Sequence, residues 1–141
     1  MSVYLDASVL VALFTNDPFT ARADDFLRSE TPVLTVSDFA AAELASAIAR
    51  RVRTRELERD EAVAAFAVFD VWTPRASRRV QTSPADIVAA KAYLRRLDLT
   101  LRTPDALNIA IAQRIGASLA TFDQRMADSA RALGAVVVDI A

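Results

Sequence analysis

The 141-residue chain contains neither histidine nor cysteine. The two absences exclude a Ser-His-Asp triad, a thiolate nucleophile and any zinc site built on imidazole or thiolate. Lysine is almost missing too: Lys91 is the only one, and the rest of the 17 basic residues are arginine. A GC-rich coding bias is the plainer explanation of that excess, and bidentate phosphate recognition is the functional one. No apolar run approaches the ~20 residues that span a bilayer. Residues 1–6 lack the basic and apolar regions of a secretory signal. A cytoplasmic location with no membrane contact is the expectation, and a chain without cysteine agrees with it. The formal net charge of −1 supplies no global attraction to nucleic acid. Any polyanion must therefore be met by a local basic patch or by bound cations.

What is present is a chain rich enough in apolar residues, at 53%, to fill a core. Its length suits a single domain over residues 1–141. No repeat, low-complexity tract or long linker interrupts it. Val3, Tyr4 and Leu5 form a short β-prone run that stops at Asp6, and Ser8 opens an apolar helical stretch to residue 14. Pro18 is placed to begin a second helix, and a strand is expected over 33–36. Ser37 is suited to cap the next helix, whose apolar face collects Ala41, Leu44, Ala45, Ile48 and Val52. A helix over 56–72 should end at Pro74, and Val80 with Gln81 suggests a short edge strand. Ser83-Pro84 and Thr103-Pro104 share one signature, a cap followed by proline at the first helical position, leading helices to residues 97 and 115. A strand over 118–121, a helix from Asp123 to residue 133 and a final strand over 136–138 complete the pattern, with Gly116 and Gly134 closing helices. Strands separated by helices predict an α/β fold with a parallel sheet, where ligands gather beyond the carboxyl ends of the strands.

Four acids fall at such junctions or on a helix just after one: Asp6, Glu43, Asp105 and Asp123. Each also has an ordinary role. Asp123 suits a helix N-cap, Asp105 a helix first turn, and Glu43 a solvated surface. Asp6 is hardest to explain that way, because it ends a strand expected to be central, where an unpartnered carboxylate is costly to desolvate. If the four converge, their mutual repulsion demands a cation, since two unit charges ~4 Å apart repel by ~4 kcal/mol at an effective dielectric of 20. Oxygen ligands select Mg²⁺ or Mn²⁺, and such an ion can activate water towards a phosphodiester.

At these same residues the chain resembles the PIN-domain ribonucleases, most closely the VapC-type toxins of toxin-antitoxin pairs. The matching segments are Tyr4-Leu5-Asp6-Ala7-Ser8, Ser37 through Glu43-Leu44, Arg102-Thr103-Pro104-Asp105-Ala106-Leu107 with Ile109-Ala110, and Ala120-Thr121-Phe122-Asp123. Each is weak alone, but the four in this order span nearly the whole chain. The resemblance implies a PIN-like fold, a central parallel sheet of about five short strands flanked by helices on both faces. It also implies that Asp6, Glu43, Asp105 and Asp123 are catalytic and bind Mg²⁺ (with Mn²⁺ as a substitute), and that Ser8 and Thr121 support them through hydroxyl hydrogen bonds. An RNA substrate, a cognate antitoxin laid over the active site and a homodimer follow from the same resemblance.

Two features depart from the family's pattern. Asn108 stands three positions after the third acid, where relatives often carry histidine or another residue, and no acid or asparagine closely follows Asp123. For RNA contacts, Arg50, Arg51, Arg53 and Arg55 form one basic run and Arg75, Arg78 and Arg79 another, although charge runs are usually solvated faces. Rival classes fit less well. A receiver domain needs paired acids after the first strand and a lysine after a late one, and a haloacid dehalogenase-type phosphatase needs Asp-x-Asp where this chain has Asp6-Ala7-Ser8. A degenerate PIN domain that binds RNA or a protein without cutting it, and a housekeeping RNA-processing nuclease, remain as alternatives.

Overall fold

The central strand shows how the layers arise. Val3, Tyr4 and Leu5 are all fully buried, and successive side chains on a strand face opposite ways. Val3 and Leu5 join one apolar cluster with Val9, Leu10, Phe26, Leu44, Ile48 and Phe69. Tyr4 joins another, with Ile109, Ile111, Leu119, Met126 and Ala130. A strand apolar on both sides must be covered by helices on both sides, which is the condition of a buried parallel sheet.

In the computed structural model, which describes residues 1–140, the order is β1 (Ser2–Leu5), α1 (Ala7–Phe14), α2 (Thr20–Glu30), β2 (Val33–Ser37), α3 (Asp38–Arg53), α4 (Arg59–Ala76), β3 (Ser77–Val80), α5 (Pro84–Leu94), α6 (Thr103–Arg114), β4 (Ser118–Ala120) and α7 (Gln124–Ala132). The sheet order is β3-β2-β1-β4 and every pairing is parallel. Tyr4 lies opposite Thr35 on β2 and Leu119 on β4, so β1, β2 and β4 finish at one edge. Asp6, Ser37 and Thr121 stand at that edge.

Several boundaries differ from the sequence expectation. Among the described residues four strands form rather than about five, because the last expected strand contributes only a bridge between Val137 and Leu119. Strand β4 is three residues long before the chain turns towards α7, and on its outer side Leu119 alone pairs, through the Val136 carbonyl and the Val138 amide. Pro74 lies inside α4, not at its end. It falls in the last turn, and the carbonyl deprived of a donor belongs to exposed Asp70, where water can reach it. Pro18 precedes α2, which begins only at Thr20, because Asp17 and Thr20 close a turn around it. Helix α6 starts at Thr103 itself, with Arg102 as the capping residue.

Candidate active site

Asp6 follows β1 directly and caps α1, its Oδ1 accepting from the Val9 amide at 3.1 Å. The same oxygen accepts from Ser8 Oγ at 2.6 Å, and Oδ2 accepts from Thr121 Oγ1 at 2.5 Å. Thr121 arrives through the β1/β4 register, which also brings the Asp6 amide to the Ala120 carbonyl at 3.2 Å. Asp6 is only 5% exposed, and burial raises its pKa to about 6, against the lowering effect of the hydroxyl and amide donors around it. The hydroxyls are pinned in turn. Ser8 Oγ accepts from the Phe122 amide at 2.9 Å, and Thr121 Oγ1 from the Asp123 amide at 3.0 Å.

Glu43 sits one and a half turns into α3, half-buried, and receives Asn108 Nδ2 on Oε1 at 2.7 Å. Its pKa is raised by burial first, then by the charges of Asp6 and Asp105, with the Asn108 amide opposing. Asn108 is buried on α6, where its Nδ2 also donates to the Pro104 carbonyl at 3.0 Å and its Oδ1 accepts from the Tyr4 hydroxyl at 2.5 Å. Tyr4 lies 2.6 Å from Ser37 Oγ, which accepts from the Ala40 amide at 2.9 Å. Burial raises the Tyr4 pKa, so the phenol stays protonated.

Asp105 lies in the first turn of α6 and accepts from the Arg102 amide at 3.1 Å. Burial raises its pKa, the Arg102 amide opposes, and the charge of Asp123 adds to the rise. Asp123 is exposed and caps α7, accepting from the amides of Arg125 at 3.0 Å and Met126 at 3.2 Å.

The fold thus brings the four acids within reach of one another's charge, in the order Asp6, Glu43, Asp105, Asp123. It does not close them into a cage: no group of three among the described residues is gathered tightly enough to grip a metal ion as it stands. A tight cage is not required, because Mg²⁺-type ions keep several waters and need only one or two direct carboxylates. The donor set fits such an ion. It is all oxygen, and a cation would relieve the repulsion that helps raise the pKa values of Glu43 and Asp105.

The two arginine runs are placed differently. Arg50 and Arg51 line a groove of about 310 Å³ together with Ser8, Asp123, Asp17, Phe19 and Phe122. Arg51 is already held there, its Nη2 2.7 Å from Asp17 Oδ1. Arg53 and Arg55 are exposed at and beyond the end of α3. Arg75 is exposed in the last turn of α4, and Arg78 and Arg79 project from the edge strand β3. Arg79 lines a separate hollow with Asp38, Asp70 and Gln81. Sequence reasoning missed Tyr4 as a site residue by counting it with the apolar strand. A tyrosine in a central strand carries its own signal, since a buried phenol needs a partner. Phe19 gives no such signal in the sequence, yet it stacks on Phe122 with ring centroids 4.5 Å apart.

Four acids within reach of one another's charge beside the carboxyl edge of a parallel sheet, in a chain with no imidazole or thiol, make an all-oxygen, carboxylate-based class of site. The PIN-domain family profile matches residues 3–132, and the chain belongs to the PIN-domain family. It is 31% identical to Ribonuclease VapC46 of Mycobacterium tuberculosis over 140 residues, covering 97% of this chain and 96% of the relative. The fold is shared with the crystal structure of the M. tuberculosis toxin VapC20, described as cleaving the sarcin-ricin loop. That match has a TM-score of 0.75 at 24% identity and covers 96% of this chain and 98% of the other. DNA-bound VapBC from Salmonella typhimurium matches with a TM-score of 0.72 at 16% identity, over 100% and 99%.

Proposed function

We infer that this chain is a single-domain, metal-dependent endoribonuclease, the toxin of a toxin-antitoxin pair acting in the cytoplasm. The observation that carries the reading is Asp6, a buried carboxylate with a pKa near 6 at the edge where three strands end, facing the charge of Glu43. Full-length similarity to a ribonuclease of the same family supports RNA as the substrate. Asp6, Glu43, Asp105 and Asp123 would hold Mg²⁺ or Mn²⁺. The chemistry such an ion supplies when bound is polarisation of a phosphoryl oxygen and a water acidic enough to lose its proton near neutral pH.

The chain's own groups do the rest. Ser8 and Thr121 fix the Asp6 carboxylate so that both oxygens keep one orientation, as supporting hydrogen bonds do around metal ligands. Glu43 presents its free oxygen from α3, steadied by Asn108. Asp105 and Asp123 approach from two helix starts, each held by backbone amides. Arg50, Arg51, Arg53 and Arg55, or Arg75, Arg78 and Arg79, would guide the phosphate backbone towards this edge. A cognate antitoxin and a homodimer are the partners that the family resemblance implies. Exposed Val63, Val68 and Val71 on α4 and Ile87 and Val88 on α5 offer apolar surface of the kind such partners cover. No helix among the described residues is long and apolar enough to cross a membrane.

A second reading, a PIN domain that binds RNA without cutting it, is favoured by Asp123, which is exposed and already engaged in capping α7. One experiment separates the two: incubation of a mixed RNA pool with wild-type protein and Asp6→Asn, in Mg²⁺, Mn²⁺ or EDTA. Cleavage that needs the ion and vanishes in the variant is the expected result. RNA retention without cleavage in any condition would support the non-catalytic reading.

A further inference from the structure

We propose that Tyr4 and Asn108 are positioning residues that aim Glu43 at the metal ion, through a one-way chain of hydrogen bonds starting at the head of α3. The proposal rests on the reading of Glu43 as a ligand and deepens it. The polarity of the chain follows from which atoms can only accept. The Glu43 carboxylate and the Pro104 carbonyl have no proton to give, and both lie on Asn108 Nδ2, at 2.7 and 3.0 Å. The amide must therefore turn its NH₂ group to them and its oxygen to Tyr4. Tyr4, 2.5 Å from that oxygen, must then be the donor. With its proton committed, the phenol accepts from Ser37 Oγ at 2.6 Å, and Ser37 in turn accepts from the Ala40 amide at 2.9 Å.

Every bond in the series thus points the same way, from the Ala40 amide through Ser37, Tyr4 and Asn108 to Glu43 Oε1. No buried side-chain nitrogen or oxygen among the described residues is left without a partner, so the amide gains nothing by flipping. The chain also ties together the pieces that must agree on where Glu43 stands: β1, the end of β2, the first turn of α3 and the second turn of α6. Asn108 is 3% exposed and Tyr4 is fully buried, so neither reaches substrate, and both act through Glu43. The Glu43 oxygen not engaged by Asn108 remains for the ion.

The test is Mn²⁺ binding by the full-length chain, followed by electron paramagnetic resonance, for wild type, Asn108→Ala, Asn108→His, Tyr4→Phe and the Tyr4→Phe/Asn108→Ala pair. Melting in EDTA checks that each is folded. Loss of an outer partner of a metal ligand typically weakens binding about 10- to 100-fold, and that is the shift expected for Asn108→Ala. Tyr4→Phe keeps the ring and should shift affinity less, in the same direction. The double variant should bind no worse than Asn108→Ala alone, because both changes cut one chain. Asn108→His, which keeps a donor for Glu43 and an acceptor for Tyr4, should recover part of the loss. Unchanged Mn²⁺ affinity in folded Asn108→Ala, with or without a fall in RNA cleavage, would overturn the proposal while leaving the nuclease reading intact. Fully additive effects of the two changes would overturn it as well. A wild-type chain that binds no Mn²⁺ would overturn both.

Discussion

Asp6 and Asp123 do the same local job under opposite conditions. Each follows a parallel strand, β1 for Asp6 and β4 for Asp123, and each caps the helix that follows by accepting backbone amides. Asp123 does so in contact with water, where an aspartate cap is ordinary and favourable. Asp6 does so almost out of water, its pKa raised from the ordinary 3.8 to about 6 by burial. That difference corresponds to about 3 kcal/mol of native-state cost near neutral pH. Capping does not require this cost, since serine or asparagine caps a helix as well. The charge at Asp6, unlike the cap at Asp123, therefore needs a reason other than folding, and a bound cation would supply one.

The largest effect should come from neutralising the buried member. Asp6→Asn is expected to lower RNA cleavage by about 10³-fold, since several kcal/mol of charge stabilisation disappear at about 1.4 kcal/mol per tenfold. The same change should raise stability in EDTA. A raised carboxyl pKa means the native state holds its proton more tightly than the unfolded chain does. The stabilising contribution of Asp6 is therefore complete below pH 3.8 and lost as pH rises through about 6. Urea melts of both proteins from pH 3 to 8 should show the advantage of Asp6→Asn appearing across that window. An advantage that does not vary with pH would break the comparison.

Next in size is the hydroxyl that makes the burial tolerable. Thr121→Val keeps the shape but leaves Asp6 Oδ2 without its donor, so the carboxyl pKa should rise above its present value and cleavage should fall about 10- to 100-fold. An NMR titration of the Asp6 carboxyl carbon reads the pKa directly. At the exposed end the order of effects reverses. Asp123→Ala should cost about 0.5–2 kcal/mol through the lost cap, whereas Asp123→Asn, which keeps a capping oxygen, should melt like wild type while still losing cleavage. The smallest effect concerns the arginines. Replacing Arg50, Arg53 and Arg55 with alanine should flatten the salt dependence of cleavage, by about one in logarithmic slope for each phosphate no longer neutralised. An unchanged slope would remove that run from the RNA path.

Much of the fold was legible because its signals are local. The run Val3, Tyr4, Leu5 reads as a buried strand, the serine-proline pair at 83–84 as a helix start, and Gly116 and Gly134, at φ of 69° and 83°, as helix ends. Pro74 misled because a proline's effect depends on whether the orphaned carbonyl can reach water, which is a tertiary fact. The last strand misled because three valines in a row satisfy β propensity, whereas pairing depends on what β4 leaves available beside it. Within the site, Ser8 and Thr121 could be suspected from the family resemblance, whose motifs place them beside Asp6 and Asp123. The link from Tyr4 through Asn108 to Glu43 could not, because it joins residues 104 and 65 positions apart that only the sheet register and α6 packing bring together. Nor does spacing along the chain reveal that no three of the described acids are gathered into a tight cage.

The most direct test of the central claim is thermal melting of wild type and Asp6→Asn at pH 7.5, in EDTA and in saturating Mn²⁺. If the buried charge is a native-state cost that a bound ion offsets, Asp6→Asn will melt higher than wild type in EDTA, and Mn²⁺ will raise the wild type far more than the variant. A variant that melts lower in EDTA, or two proteins that respond equally to Mn²⁺, would contradict it.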